Sequence, residues 1–397
     1  MSLNNNQVAG VLNEAFAQAT GSKEIGQLTL QEIIDTGKDA SIIGSKEQFT
    51  KALVNVLTRN WFTDTSYRSS YVDPFFQDSE QFGAIMQMIS VEIPDVQASH
   101  AWQDFGTGEG KVSKVGLYDV YMPVVEAQYY GKTVSWEIPI TITGEQWDTA
   151  FKNESELKGF VAYVLMCVDN GIVVHLEDMN NANRNNFIAE KIAYANSPGA
   201  KGLHVYDLVK EYQKETGNLA TSMTAAEFRN DPKAMLFMTE KLRLYKDYFK
   251  KMNTIFNTAG KKRFTPEDRI VLQVLSAIDQ RLRTVATSDT YNKDIVEMPG
   301  FESVAYWQGT GTDFSFDSVS SINVKISSDG TAVEQSGIVA LLVDKWAIMH
   351  TIKKQRVAAK VFEPEDLTNY YNQFRDMYAN NLTLNGLVFV IKDYVAG

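Results

Sequence analysis

Cysteine is almost absent from this chain: Cys167 is the only one among 397 residues, so no disulfide can form within it. This usage is typical of a reducing compartment. No apolar run approaches the roughly 20 residues of a membrane helix, and residues 1–10 lack the basic end and apolar core of a secretory signal. We therefore expect a soluble protein made in a cytosol.

Motifs for catalysis and metal binding are also lacking. The four histidines lie in separate segments, and no HExxH pattern occurs. There is no G-x-S-x-G elbow, dinucleotide fingerprint or kinase motif set. The GTGEGK stretch at residues 106–111 lacks the spacing of a phosphate loop. The sequence thus predicts no metal site and no cofactor, and it argues against an enzyme.

Positive charge is scarce, with 38 basic against 49 acidic residues and a net charge of -11. This balance argues against a general nucleic-acid binder. One segment is an exception, because eight basic residues and only Asp247 as an acid lie between Lys241 and Arg263. Two interpretations stay open: a solvated helix face whose charges pair with acidic neighbours, which we favour, and a docking patch for another subunit or for nucleic acid.

The strongest periodic signal runs from Asn153 to Ala195. Apolar residues recur there near the helical period, Asn153 and Glu156 have the spacing of a capping pair, and no proline occurs before Pro198. One unbroken helix of this length would span roughly 60 Å. Gly171 and the NNANRNN stretch at residues 180–186 are the expected points of a bend or break.

An extended hairpin is predicted over residues 90–143, with a glycine-rich tip. Its last part alternates strictly between apolar and polar residues, as in a half-buried strand. Because an open hairpin is marginal alone, we expect Trp136, Ile138 and Ile140 to pack on an adjacent subunit. Further candidate interface residues are Phe105, Lys111, Lys250, Lys251 and Arg263. Before the hairpin lie a polar arm, residues 1–45, and an amphipathic helix, residues 46–62.

From Leu203 onward helical and strand patterns alternate, as in a layered α/β body. Within it the apolar run Ile338–Val343 stops at Asp344. An acid at the end of a buried strand often lines a ligand crevice, but no second acid converges here. We interpret Asp344 as a corner residue that accepts backbone N–H groups and starts a turn.

This order of arm, hairpin, over-long helix and α/β body resembles the tailed-bacteriophage major capsid protein of the Hong Kong 97-type fold. The likeness covers almost the whole chain and is to the short-tailed podovirus group. YYGKTVSWEIPITITGEQWDTAF followed by ELKGFVAYVLMCV resembles that group's junction of hairpin and spine helix. SAIDQRLRT with TYNKDIVEMPGF is similar to its axial segment, and IVALLVDKWAIM with TNYYNQFRDMYANNLTLNGLVFV is similar to its late strands.

The resemblance implies an α+β, Hong Kong 97-like capsid fold with six segments. These are the N-terminal arm and helix (1–65), a peripheral-domain strand region (66–97), the extended loop or E-loop (98–145), the peripheral domain with the spine helix (146–202), the axial domain (203–350) and a return to the peripheral domain (351–397).

The resemblance also implies a function. Pentamers and hexamers of the chain would form the icosahedral or prolate shell of a virion, assembled in the host cytoplasm. A scaffolding protein, a portal protein at one vertex and packaged double-stranded DNA would be its partners, and no membrane is involved. The alternatives are an encapsulin-like nanocompartment shell and a cytosolic α/β enzyme with a hairpin arm.

Overall fold

A computed structural model describes residues 86–93, 124–131, 133–143, 154–289, 301–307, 320–326, 330–362 and 367–396, together with Phe75 and Glu145. The predicted arm (1–45), the predicted helix (46–62) and the hairpin tip with Phe105 and Lys111 lie outside these residues. The elements in chain order are β1 Met86–Val91, β2 Val125–Tyr130, β3 Thr133–Thr143, α1 Glu154–Ala195, β4 Val205–Asp207, α2 Leu208–Glu215, α3 Ala225–Asn230, α4 Pro232–Phe249, β5 Ile270–Leu275, α5 Ser276–Asp289, β6 Phe301–Val304, β7 Ile322–Val324, β8 Val333–Gln335, β9 Ile338–Asp344, β10 Ile348–Phe362, β11 Leu367–Asn380 and β12 Gly386–Val390.

The predicted hairpin is divided between two sheets. β1 and β2 pair antiparallel, with Val91 opposite Val125, and form its base. β3 was expected in the same hairpin, but it pairs with β11 in the sheet β10-β11-β3, where Trp136 lies opposite Phe374. Period-two alternation gives β3 one apolar face and does not specify the strand along its edge, and this is why the partner was assigned wrongly.

The predicted long helix is confirmed as α1, a single helix of 42 residues. Neither Gly171 nor the NNANRNN stretch interrupts it, so the expected break does not occur. Helix α1 packs against β3, β10 and β11 of one sheet and against β4 and β12 of another. It therefore connects the two main sheets of the chain.

The body is built around a mixed sheet in the order β4-β12-β9-β5-β6. β12 is parallel to β4, β9 is antiparallel to both β12 and β5, and β5 is parallel to β6. Every residue of β9 and β12 is buried. Central strands covered on both faces read as continuous apolar runs, and the sequences IVALLV and GLVFV fit this position.

The place of β12 concerns one of the expected segment boundaries, which stay predictions. Residues 351–397 were assigned to a return from the axial to the peripheral domain, and β10 and β11 do lie in a separate sheet. β12, however, lies in the middle of the sheet whose other strands fall within residues 203–350. β9 needs a hydrogen-bonded partner on each edge, and β12 supplies one of them.

Candidate assembly surfaces

One face of the β1–β2 hairpin is apolar and exposed. The register places Gln87 opposite Tyr129, Ile89 opposite Ala127 and Val91 opposite Val125, so these side chains share a face. The exposed fractions are 61% for Ile89, 57% for Val91 and 66% for Tyr129. We call this the hairpin apolar face, and it comprises Ile89, Val91, Ile93, Val125 and Tyr129.

Sequence reasoning did not single out the hairpin apolar face. A signal was present, because Ile89, Val91 and Ile93 alternate with polar residues in MISVEIPDV. Exposed apolar clusters mark interaction sites more often than isolated apolar residues do. This hairpin therefore presents a surface suited to a protein partner.

The opposite face of the hairpin contacts the body of its own chain. Arg263 Nη2 donates to Ser90 Oγ over 3.1 Å, and Lys261 Nζ donates to Glu126 Oε1. Lys261 also lies 3.7 Å from Glu92 Oε2. Met88 packs against the main core. The two faces of the hairpin thus differ: one contacts the body, and the side chains of the other are exposed.

Some basic side chains between Lys241 and Arg263 pair with acidic neighbours, as one of the two interpretations of this segment predicts. Lys241 Nζ lies 2.7 Å from Glu215 Oε2, and Lys250 lies 3.0 Å from Glu267 Oε1 and 3.4 Å from Asp247 Oδ1. The Glu267 carboxylate raises the pKa of Lys250. Lys251 is exposed. The role of Lys250, Lys251 and Arg263 in contacts between subunits stays a prediction.

The apolar face of β3 has a partner inside the chain. Trp136, Ile138 and Ile140 pack on a small core formed by Ile172 of α1 and Phe374 of β11. The Trp136 ring stacks on Phe374 with centroids 4.1 Å apart. We expected these three residues to pack on an adjacent subunit. Within the chain, α1 and β11 already cover this face in part.

Trp136 belongs to a buried polar cluster beneath this sheet. Its Nε1 donates to Asp376 Oδ2 over 2.6 Å, and His350 Nε2 lies 3.9 Å from the same oxygen. The His175 ring lies 4.0 Å from the Trp136 ring. Burial lowers the pKa of His175, and the nearby Asp376 carboxylate opposes this shift. The cluster joins β3, β10 and β11 through polar contacts, and the His175 ring of α1 packs against it.

Buried basic side chains attach the C-terminal part of α1 to the body. Lys191 Nζ donates to the carbonyls of Phe256, Leu382 and Leu384 over 3.1, 3.2 and 3.4 Å. Burial lowers the pKa of Lys191 to about 7. About two turns before Lys191, the Arg184 guanidinium lies 4.6 Å from the centroid of the Trp307 ring.

The NNANRNN stretch forms part of this attachment. Asn183 Nδ2 donates to Met349 O over 3.3 Å, and Asn380 Nδ2 donates to Asn183 O over 3.2 Å. Asn181 Oδ1 accepts from Arg184 Nη2 over 2.7 Å. Buried polar groups need such partners, and amides supply both donors and acceptors. The stretch is a polar anchor within the helix rather than a break.

Asp344 is the corner residue that the sequence indicated. Its Oδ1 accepts from Trp346 N over 3.0 Å and caps the turn after β9. The carboxylate also accepts from Arg269 at both oxygens, over 3.1 and 2.6 Å, and the Arg269 guanidinium lies 3.7 Å from the centroid of the Trp346 ring. Asp344 is fully enclosed by these groups, so its role is structural.

Two site types have no candidate within the described ranges. No group of three or more His, Cys, Asp or Glu residues in this part of the chain could hold a metal ion. No described helix combines the length and apolarity needed to cross a membrane.

The comparisons with known proteins agree with this architecture. The sequence model of the Phi29-like phage major capsid protein family matches residues 12–390. No curated protein matches the chain. A chain from the capsid structure of Staphylococcus phage Andhra is similar with a TM-score of 0.52 and 9% identity, over 82% of this chain and 84% of that chain.

Two further solved structures are similar at lower scores. A chain from the structure of the head fiber and inner core protein gp22 of bacteriophage P68 has a TM-score of 0.48 and 11% identity, over 80% of this chain and 83% of that chain. A chain from the mature capsid of bacteriophage PhiM1 has a TM-score of 0.42 and 7% identity, over 83% of this chain and 90% of that chain.

The fold predicted from the sequence, a Hong Kong 97-type capsid fold of the α+β class, is confirmed by the likeness to the Andhra capsid chain. The family match confirms the predicted function of a capsid shell protein, a structural component of the virion that associates with itself. The nanocompartment and enzyme alternatives gain no support. The chain belongs to the Phi29-like phage major capsid protein family.

Proposed function

We propose that copies of this chain assemble as pentamers and hexamers into a closed shell, icosahedral or prolate, around the double-stranded DNA genome of a tailed phage. Membership of the family supports the formation of a shell. The observation that carries the mode of contact is the hairpin apolar face, which has large exposed apolar side chains on a two-stranded element.

The hairpin apolar face, rather than Trp136, Ile138 and Ile140, is the part of the hairpin that packs on a neighbouring copy. A two-stranded hairpin is marginally stable in water unless its apolar side is covered. Among the described residues, the body contacts the face that bears Met88 and Glu126. Placing Ile89, Val91 and Tyr129 against a second subunit removes their apolar surface from water, and this stabilises both the hairpin and the contact.

The remaining parts of the proposal concern segments and partners. The hairpin corresponds to an E-loop, α1 to a spine helix, the three-stranded sheet to a peripheral domain and the five-stranded sheet to an axial domain. A scaffolding protein guides assembly in the host bacterial cytoplasm, and a portal protein occupies one vertex. DNA contacts are non-specific. The net charge of -11 suits such contacts, because a strongly basic lining would retain phosphates tightly. No catalytic role is assigned to the chain.

Single charges on the hairpin apolar face test this mode of contact. Val91→Asp and Tyr129→Asp should leave the circular dichroism spectrum and the unfolding midpoint of the unassembled subunit unchanged, because both side chains are exposed. Both variants should fail to form shells with the scaffolding protein, as judged by electron microscopy. Val395→Asp is the matched control, since Val395 is 76% exposed but lies outside the hairpin. Shells of normal yield from Val91→Asp and Tyr129→Asp would rule out the proposed contact.

The content of the shells tests the second part of the proposal. Particles purified from infected cells should contain genomic DNA, measured by their ratio of absorbance at 260 and 280 nm and by nuclease-protected length. A packaged enzyme without DNA would instead identify a protein nanocompartment.

A further inference from the structure

A loop with fixed backbone lies beneath the hairpin. The fully buried Asn257 donates from Nδ2 to Lys261 O over 2.9 Å and accepts from Lys261 N at Oδ1 over 3.0 Å. Two residues further on, Arg263 and Asn253 exchange backbone hydrogen bonds of 2.8 Å in both directions. The backbone positions of Lys261 and Arg263 are therefore held by the body itself.

The side chains of both residues reach the hairpin, and they reach both of its strands. Lys261 contacts Glu126 of β2 and lies near Glu92, just beyond β1. Arg263 donates to Ser90 of β1. Ser90 and Glu126 are directly opposite each other in the register. The two cations thus join the two strands to one another and to the body.

We propose that Lys261 and Arg263 are positioning residues that set the angle of the hairpin to the body, and thereby the place where the hairpin apolar face meets a neighbouring copy. This role rests on the proposed function. It assigns Lys261 and Arg263, two residues of the basic segment, a structural role in assembly. We call the contacts of Lys261 and Arg263 with Ser90, Glu92 and Glu126 the hairpin clamp.

The physical argument concerns stiffness. A two-stranded hairpin is marginally stable by itself, and no third strand pairs with β1 or β2 among the described residues. Contacts at the base therefore hold the hairpin on the body, and the angle at the base determines the position of every residue further along the hairpin. The Lys261 side chain is 20% exposed and that of Glu126 is 41% exposed. Contacts between partly exposed charges weaken as salt rises, because the screening length falls to about 3 Å at 1 M ionic strength. The clamp is therefore a joint sensitive to ionic strength.

Lys261→Gln tests the clamp on the unassembled subunit. Amide hydrogen exchange over Val125–Tyr130 should become about two- to five-fold faster, as expected for loss of a partly exposed ion pair. The wild type should approach the same rates when NaCl is raised from 0.1 to 1 M. Lys250→Gln is the matched control: it removes a cation of the same basic segment, but Lys250 contacts Glu267 and Asp247 instead of the hairpin. It should leave exchange over Val125–Tyr130 unchanged.

Shell formation is the second measurement. Lys261→Gln should lower the yield of closed shells, or give shells of irregular diameter, under conditions where Lys214→Gln, which removes a cation paired with Glu211, assembles as the wild type does. The exchanged pair Lys261→Glu with Glu126→Lys should restore both the slow exchange and the regular shells. If Lys261→Gln does not fold, Glu126→Gln removes the same contact from the hairpin side.

The outcomes separate the two proposals. Equal amide exchange rates over Val125–Tyr130 in Lys261→Gln and Lys250→Gln would show that the clamp does not hold the hairpin, whatever the yield and diameter of the shells. Faster exchange with shells of normal yield and diameter would overturn its role in positioning the hairpin. A wild-type chain that forms no shells with its scaffolding protein would contradict the proposed function, while the exchange measurement would still decide whether the clamp exists.

Discussion

Trp136 and Asp376 are joined by a hydrogen bond of 2.6 Å from the indole Nε1 to the carboxylate Oδ2, although 240 residues separate them in the chain. The Asp376 side chain is completely buried, and Tyr378 Oη also donates to Oδ2 over 3.4 Å. Bonds of this kind fix β3 to β11 more specifically than apolar packing alone, because a buried carboxylate without donors is costly.

Trp136→Phe should therefore destabilise the unassembled subunit. The variant keeps an aromatic ring against Phe374 but removes the indole donor, and we expect the free energy of unfolding to fall by about 1.5–3 kcal/mol. Urea denaturation followed by circular dichroism measures this change. Ser135→Ala on the exposed side of β3 is the control, with an expected change within about 0.5 kcal/mol. Equal effects of the two substitutions would contradict the assigned importance of the bond.

The buried Lys191 predicts a pH dependence. Burial lowers the pKa of its ammonium from 10.5 to about 7. Between these values the unfolded chain binds more protons at this side chain than the folded chain does, so a rising pH increases the free energy of unfolding. Below pH 7 both states carry the proton and the contribution becomes constant.

Lys191→Met provides the baseline for this measurement. The free energy of unfolding of the wild type, minus that of Lys191→Met, should increase between pH 7 and pH 9.5 and level off below pH 7. Urea unfolding at each pH gives both values. A difference that is constant, or that falls with rising pH, would contradict the lowered pKa.

Asp344→Ala should destabilise the turn that follows β9, and with it the subunit. The substitution deletes the acceptor for Trp346 N and leaves Arg269 without its carboxylate partner. Breaking a buried ion pair from one side costs about 3–5 kcal/mol, and we expect the lower part of this range because the Arg269 side chain is 19% exposed. Thermal unfolding of the subunit measures the loss. Asp268→Ala, at an exposed acid of the same region, should have little effect.

Gly386→Ala should separate β12 from α1. A Cβ at this position would lie 2.7 Å from Cζ and 2.9 Å from Cε1 of Phe187. Both groups are buried, so overpacking should cost about 1–3 kcal/mol. Phe187→Leu in the Gly386→Ala background removes the clashing ring atoms and should recover a part of this stability in urea denaturation. The absence of any recovery would mean that the glycine serves another purpose.

The sequence predicted elements better than it predicted their partners. The alternation of Trp136, Ile138 and Ile140 identified the correct apolar face of β3 because side-chain direction follows from local geometry. The covering element was α1 together with Phe374 of β11, and such a long-range partner is not encoded in a local period. A lack of visible partners in the sequence was therefore taken for a subunit interface, whereas the hairpin apolar face at Ile89, Val91 and Tyr129 was overlooked.

Polar residues were the second source of error. A stretch such as NNANRNN is disfavoured within helices by intrinsic propensity, and so we expected a bend or a break, of which the structure excludes the break. Tertiary contacts outweigh propensity here, because Asn183 and Arg184 satisfy groups on neighbouring strands and loops. Asp344 was interpreted correctly because a strand-end acid with a following turn is a local pattern, but its bond to Arg269 joins residues 75 positions apart.

The continuity of α1 has a mechanical consequence. A helix of 42 residues, about 60 Å from end to end, is held to one sheet by the hydrogen bonds of Asn183 with Met349 and Asn380 and packs against β4 and β12 of the other. A helix held at two places transmits rotation between them. Shell curvature that tilts one sheet must therefore either bend α1 or tilt the other sheet by a matching angle.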